Sequence, residues 1–576
     1  MKKIIPLILI VFICTMAFLF KNKIFVTKVE NSLALAINNT VKSFDPVTAF
    51  DDDSLSVIGQ SLDTLYQYHY LKRPYEVIPS LAQAMPIISD NGKRYTIQIK
   101  KNTKYHNETK FLKLKDTRMV KAADFELQFK RIAFKPLKSV GKSLFSGKIL
   151  GFDDFSNEVG NSFEKMLSKK IEGVTVINEY TLQIDLNKPE PNLIYFLSMN
   201  FVTPVPRELV EKYNNDLSKV LLGTGAYYLS SFTNETYTFL KNDEFRDEIY
   251  PSTGDRYANT QNLLNSSTEK LPFIDTVIFK VVKNENERWD LFLDNQLDIL
   301  NVPKKFLSKV SGELEEFEKF KKEKNIEVRY ATTISSRWLG MNMQDPVLGK
   351  NLYLRKAIAH SIDFDKYIEV LTNNTNLKAN SIYNPSIPGY DPSHQTNYKY
   401  DLKKAKAYMR KSGVNTDELI INYSTRGNQQ IHYNEAEFIK SQLAQIGLKV
   451  KIEVLSFSEF IKKGRAGEIQ FFTDQWIYDY PDAENVIQLL ISKNVPGINK
   501  SGYMNPKVDL LYSKLAETLN KETRFSIMKE IEAIVSDELP WIMLMYESSY
   551  ILHSKHVKNF RKSFFIRNYI KYLKKN

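Results

Sequence analysis

Three aromatic rings and two aspartates fall within seven residues at Trp476-Ile477-Tyr478-Asp479-Tyr480-Pro481-Asp482, with Gln475 just before them. A carboxylate beside an indole has one inexpensive chemistry open to it, the acceptance of a cation. Taken out of water unpaired, it is costly; paired with an ammonium or guanidinium, it recovers much of that cost. The stretch reads as a receptor for a positive group carried by a ligand, with the rest of the chain building two lobes that bring the group there. Competing roles are a turn cap for Asp479 and core packing for Trp476. Asp474 and Asp482 are expected to be solvated or capping.

Other chemistries lack their parts. Ser139-Val140-Gly141-Lys142 fits Ser-x-x-Lys, but no Lys-Thr-Gly follows. Gly141-Lys142-Ser143 cannot close a phosphate loop, since Pro136 stands where its first glycine would be. No His-Glu-x-x-His exists, and among the seven histidines only His553 and His556 are spaced as a pair, in a basic tail. No Gly-x-Gly-x-x-Gly follows a strand. The chain is therefore read as no enzyme, with no cofactor and no metal. Its single cysteine, Cys14, lies in the N-terminal apolar run, so the body can form neither a disulfide nor a cysteine metal site.

At 576 residues the chain exceeds one hydrophobic core, and two or three domains are expected. Its net charge of +13 is spread over 80 basic and 67 acidic residues, without zinc-finger spacing or a basic coiled-coil region. This is read as a lysine-rich solvated surface, with an anionic membrane or an acidic ligand as the alternatives. No nucleic-acid partner is expected, and the chain is read as a monomer. Lys2-Lys3, an apolar run over residues 4–20, then Lys21 and Lys23 make an export signal at the lower limit of a membrane span. Cleaved signal, uncleaved anchor and atypical lipoprotein all remain open for residues 1–27. The body is placed outside the cytoplasmic membrane.

The elements that must position the aromatic stretch alternate in type. Strands are expected at 33–37, 95–99, 178–186, 273–282, 338–343 and 469–474. Helices are expected at 51–65, 122–132, 354–362 and 434–446, and at 401–411 between Asp401 and Gly413. Ser456-Phe457-Ser458-Glu459 is a capping box for a helix ending at Gly464. Gly223-Thr224-Gly225 is a tight turn in which glycine supplies positive φ. This mixture predicts α/β lobes.

The order of segments resembles the peptide-binding branch (family 5) of the extracytoplasmic solute-binding proteins of ABC importers. The resemblance is carried by Ser43-Phe44-Asp45-Pro46, by Ser89-Asp90-Asn91-Gly92-Lys93-Arg94-Tyr95-Thr96, by Tyr105-His106-Asn107 and by Ala122-Ala123-Asp124-Phe125. It continues through Gly223-Thr224-Gly225-Ala226-Tyr227, Leu339-Gly340-Met341-Asn342 and the run from Leu354-Arg355-Lys356-Ala357 to Ile362-Asp363. Asn107 where the family has Asp, Ala226 for Pro, and the Asn/Lys-rich stretch 241–269 depart from the pattern.

The resemblance implies a two-lobed, type II periplasmic-binding-protein-like fold with discontinuous lobes, a hinge and an extra inserted domain. Lobe I would comprise 28–60, 206–305 and 541–576, the inserted domain 61–205, and lobe II 306–540. It implies capture of short peptides between closing lobes and delivery to the membrane subunits of an ABC importer. A tethered receptor or sensor, and a non-peptide solute such as a metal chelate, haem, sugar or glutathione, are the alternatives. By the same resemblance Asp479 pairs with the ligand α-ammonium, and Trp476 and Tyr478 line its surroundings. Arg426 takes the carboxylate of a short peptide through its planar fork, with Gly427 letting backbone approach.

Overall fold

The computed structural model describes residues 31–106, 118–310 and 314–576. The export segment and Asn107 lie outside the described residues. Among those described, no helix is long and apolar enough to cross a membrane.

Of the nineteen strands among the described residues, fourteen build the two sheets that matter here: β1 (Ser32–Ile37), β2 (Ile87–Ser89), β3 (Arg94–Gln98), β4 (Val174–Asn178), β5 (Thr181–Asp185), β6 (Tyr227–Phe232), β7 (Thr236–Lys241), β8 (Thr276–Val281), β9 (Ile299–Asn301), β10 (Ile326–Met341), β11 (Ile420–Ser424), β12 (Lys449–Glu453), β13 (Phe471–Ile477) and β14 (Trp541–Ser554). One sheet runs in the order β12-β11-β13-β10-β14-β9-β1-β8-β7-β6. Its two ends differ in origin. β1 is parallel to β8 and β9 in the first lobe, and β11 is parallel to β12 and β13 in the second.

Among the described residues, β10 and β14 are the strands that run through both ends. They pair antiparallel from Ile326↔Ser554 to Gly340↔Trp541, and the register shifts between Thr332 and Ser336. On the first-lobe side of the shift β14 also pairs with β9, at Ile299↔His553; on the other side β10 pairs with β13, starting at Ser335↔Ile477. A bulge bends and twists a strand locally, and this one sits where the chain passes between lobes. The sequence predicts a strand only at 338–343; the crossing strand begins twelve residues earlier because Ile326–Thr332 pairs with β14 outside the apolar run.

A second sheet, β2-β3-β5-β4, forms within the chain segment between β1 and β6. Tyr95 and Ile97 of β3 and Leu182 and Ile184 of β5 are interior and share a core with Phe125 and Phe129 of the helix Ala122–Ala133. The strand expected at 178–186 is β5, Thr181–Asp185; it begins after a turn in which Asn178 accepts the Tyr180 N–H at 3.0 Å and reverses the chain from β4. Arg131 ties this sheet and helix to the chain at Asp45 and Asn215. Its Nη2 lies 2.5 Å from Asp45 Oδ2, its Nε donates to Asn215 at 2.7 Å, and its side chain is wholly buried.

Local signals at the caps translate well. Asp401 accepts from Lys404 N at the start of the helix Leu402–Ser412, and Gly413 ends it at φ +67°. Ser456 and Glu459 form the expected box, but the helix runs through Gly464 to Ala466 and stops at Gly467. Gly464 lies inside the helix, where a Cβ would meet Lys500 Cδ at 2.7 Å. The helix expected over 51–65 covers only Asp52–Ile58. Beyond it Gln60 and Ser61 turn their carbonyls to the Tyr227 and Gly225 N–H groups. That contact also corrects the reading of the glycine turn. Neither Gly223 nor Gly225 has positive φ; a Cβ on Gly223 would lie 1.9 Å from the Ser61 carbonyl oxygen. Close approach, not handedness, requires glycine there.

Candidate functional site

β13 is buried at its start and opens toward its end. It is parallel to β11, so both strands deliver their following loops to one end of the second lobe, the end where open α/β sheets hold ligands. Gln475 fastens this edge to the crossing strands, donating to Ser335 Oγ at 2.7 Å and to Glu547 Oε2 at 2.8 Å.

Past the end of β13 the side chains alternate. Ile477 and Asp479 face outward, and Tyr478 and Tyr480 face inward. Asp479 is reached by solvent and has no lysine, arginine or histidine within ion-pair distance among the described residues. Crowding by protein nonetheless pushes its pKa up from the ordinary carboxylate value, while a hydrogen bond from Asn485 works in the opposite direction. Asn485, 1% exposed, uses both ends of its amide. Nδ2 donates to Asp479 Oδ2 at 3.2 Å; Oδ1 accepts the Trp476 indole N–H at 2.8 Å and the Asp479 backbone N–H at 3.1 Å. Trp476 is thereby held half-buried at the edge of the core. The arrangement presents a fixed carboxylate beside an indole, able to accept an ammonium.

Tyr478 is brought next to this carboxylate but not onto the site surface. It is 1% exposed, with its hydroxyl directed at the Ile382 carbonyl at 3.5 Å, because the strand alternation turns it to the opposite face from Asp479. It supports the loop from beneath.

Arg426 follows β11. Its Nε donates to Asp474 Oδ1 at 3.3 Å and its guanidinium lies 4.9 Å from the Phe457 ring centroid. Asp474 also accepts Lys500 Nζ at 2.5 Å. Two cations thus share one buried carboxylate, which leaves local positive charge; no described hydrogen bond occupies the Arg426 Nη groups. Asp474, expected to be solvated or capping, is instead 5% exposed within this pair. Asp482 caps Glu484 N at 2.9 Å but is also ion-paired, with both oxygens accepting from Arg524 Nη2 at 2.7 and 2.6 Å. Gly427 answers a neighbour in the protein: a Cβ there would meet the His432 ring at 2.7 Å.

The chain segment between β1 and β6 touches the second lobe immediately beyond Asp479. Tyr480 packs edge-on against Phe196 at 5.1 Å and lies over Tyr195 at 6.2 Å. Asn192 donates to the Glu484 carboxylate, which also accepts from Tyr512 Oη at 3.2 Å. Lys188 meets Glu517 at 3.0 Å. Neither Asn485 nor this contact was found by sequence reasoning, since each depends on partners placed by the fold. The only local signal for Asn485 was an amide six residues after Asp479.

Known proteins share both sequence and shape with this chain. The family described as "Bacterial extracellular solute-binding proteins, family 5 Middle" matches residues 76–496. The Dipeptide-binding protein of Escherichia coli is 23% identical over 500 residues, covering 84% of each chain. The structure of HbpA2 from Haemophilus parasuis superposes with a TM-score of 0.76 at 21% identity, covering 95% of this chain and 100% of that one. The periplasmic binding protein DppA from Helicobacter pylori, solved with the peptide STSA, gives a TM-score of 0.66 at 23% identity, covering 94% and 98%. With the two-lobed sheet, the two crossing strands and the match over most of its length, the chain belongs to the family 5 bacterial extracellular solute-binding proteins.

Proposed function

We propose that this protein captures short peptides outside the cytoplasmic membrane by closing its two lobes, and delivers them to an ABC importer. The observation that carries the reading is Asp479, a carboxylate fixed by Asn485 beside Trp476 with no cation partner among the described residues. A free peptide supplies that cation as its α-ammonium. Arg426 serves as the partner for the peptide carboxylate: its Nε is anchored by Asp474, and its outer nitrogens are disposed to donate in parallel. Names of relatives add support, because a dipeptide-binding protein and a peptide complex are among the similar chains.

The proposed lobe limits are 28–60, 206–305 and 541–576 for the first lobe and 306–540 for the second, with the inserted domain at 61–205. The N-terminal segment holds the protein at the outer face of the membrane or is removed there.

Calorimetric titration of the purified protein with pooled di-, tri- and pentapeptides, each also N-acetylated, tests the reading. Binding of free peptides that acetylation abolishes supports it. A folded protein that binds no pool overturns the peptide reading.

A further inference from the structure

The side chain that governs amine recognition is not confined to the acceptor. Resting on the amine-acceptor reading of Asp479, we propose that Asn485 is the positioning residue of the site, holding the Asp479 carboxylate ionised and aimed while fixing the Trp476 indole beside it. Three observations converge on its amide. Its Nδ2 donates to the side-chain oxygen of Asp479, its Oδ1 takes the Asp479 backbone N–H, and the same Oδ1 takes the indole N–H of Trp476. Its own backbone N–H is held by the Asp482 carbonyl at 3.2 Å, and Asp482 is in turn anchored by Arg524. At 1% exposure the amide has no rotational freedom to spare, and water does not compete for its partners.

Asparagine suits this place for a chemical reason. One end must accept two N–H groups while the other donates to a carboxylate, and only a carboxamide offers both on adjacent atoms. An aspartate there would keep the acceptor but set a second carboxylate against Asp479 Oδ2, and two carboxylates at that separation hold a proton between them. Donation from Asn485 stabilises the charged form of Asp479 against the crowding that favours the neutral one. A neutral Asp479 would not attract an ammonium. The positioning residue therefore sets the pH above which the site can recognise an amine.

Asn485→Ala and Asn485→Asp test this by calorimetry with one free dipeptide pool and its N-acetylated counterpart across an acid-to-neutral series. Unfolding midpoints are measured on the same samples. Asn485→Ala is expected to weaken free-peptide binding by ~10- to 100-fold, the range for a hydrogen bond to a charged group. It should also shrink the preference for free over acetylated peptide and move the acid-side loss of binding to higher pH. Asn485→Asp keeps the acceptor for Trp476, so it preserves the fold if Asn485→Ala does not, and it should move that acid-side loss further still. A variant that keeps both the preference and the acid midpoint of the wild type overturns the role of Asn485 alone. Equal loss of free and acetylated peptide, with the midpoint unmoved, overturns it as well and leaves a packing role. Wild-type protein that binds free and acetylated peptides alike overturns the amine-acceptor reading, and the positioning role with it.

Discussion

The side-chain amide of Asn192, from the chain segment between β1 and β6, donates to the carboxylate of Glu484 in the second lobe. This contact lies five residues beyond Asp479, so lobe closure and the carboxylate proposed to face the ligand share one short segment. Around Glu484 stand Glu190, Asp482, Lys148, Asn192 and Tyr512, with Arg524 behind Asp482. Burial, then the Glu190 charge, push the Glu484 pKa up to about 7, against the pull of Lys148. The closed contact thus favours the neutral acid more than water does.

The sign of the pH dependence follows. Opening returns Glu484 to water and to its ordinary value of 4.5, so closure takes up a proton. Its contribution is full below that ordinary value and is lost as pH rises through about 7. Asp479 acts at the other limb: its pKa is raised as well, and affinity for an ammonium falls as pH drops through it. Peptide affinity is expected to be bell-shaped, with each limb changing by at most about tenfold per pH unit. Glu484→Gln should flatten the alkaline limb and leave the acid limb, as read by titration calorimetry over the pH series.

Arg426 is anchored through one nitrogen and has a companion cation in Lys500. Arg426→Met should leave Asp474 paired by Lys500 and the protein folded. It should lower the preference for peptide acids over C-terminal amides by about tenfold or more, the scale of one charge-assisted hydrogen bond. Competition between a dipeptide and its amide checks this.

The buried pair of Arg131 and Asp45 joins the proposed inserted domain to the chain that follows β1. Arg131→Met removes one partner and strands the other charge, at a cost of about 3–5 kcal/mol. Urea unfolding should show that loss, whereas peptide affinity of the remaining folded protein should stay near wild type.

What the sequence disclosed was what is local. Asp401 with Gly413, and Ser456 with Glu459, announce helix ends because a cap needs only residues three or four apart. The two-lobed fold was legible through the order of motifs rather than through any one of them. Partners brought from afar were not legible. Asp474 looked solvated because Arg426 and Lys500 are 48 and 26 residues away. Tyr478 looked ligand-facing because its inward turn depends on β13 continuing its alternation past the sheet edge. Gly427 looked open because His432 is placed beside it only by the fold. Asn485 escaped notice because an asparagine in a loop carries no spacing signature. Its meaning lies in three bonds that only the folded chain shows.

The most direct test of the account is the affinity of Asp479→Asn for a free dipeptide and for the same dipeptide N-acetylated, set beside the wild type in one calorimetric series. The substitution keeps shape and removes charge. Free-peptide binding should weaken by about 10²–10³-fold, the scale of breaking a desolvated charge pair, while the acetylated peptide binds wild type and variant with equal weakness. Undiminished free-peptide affinity in a folded Asp479→Asn protein would contradict the claim that this carboxylate receives the peptide amine.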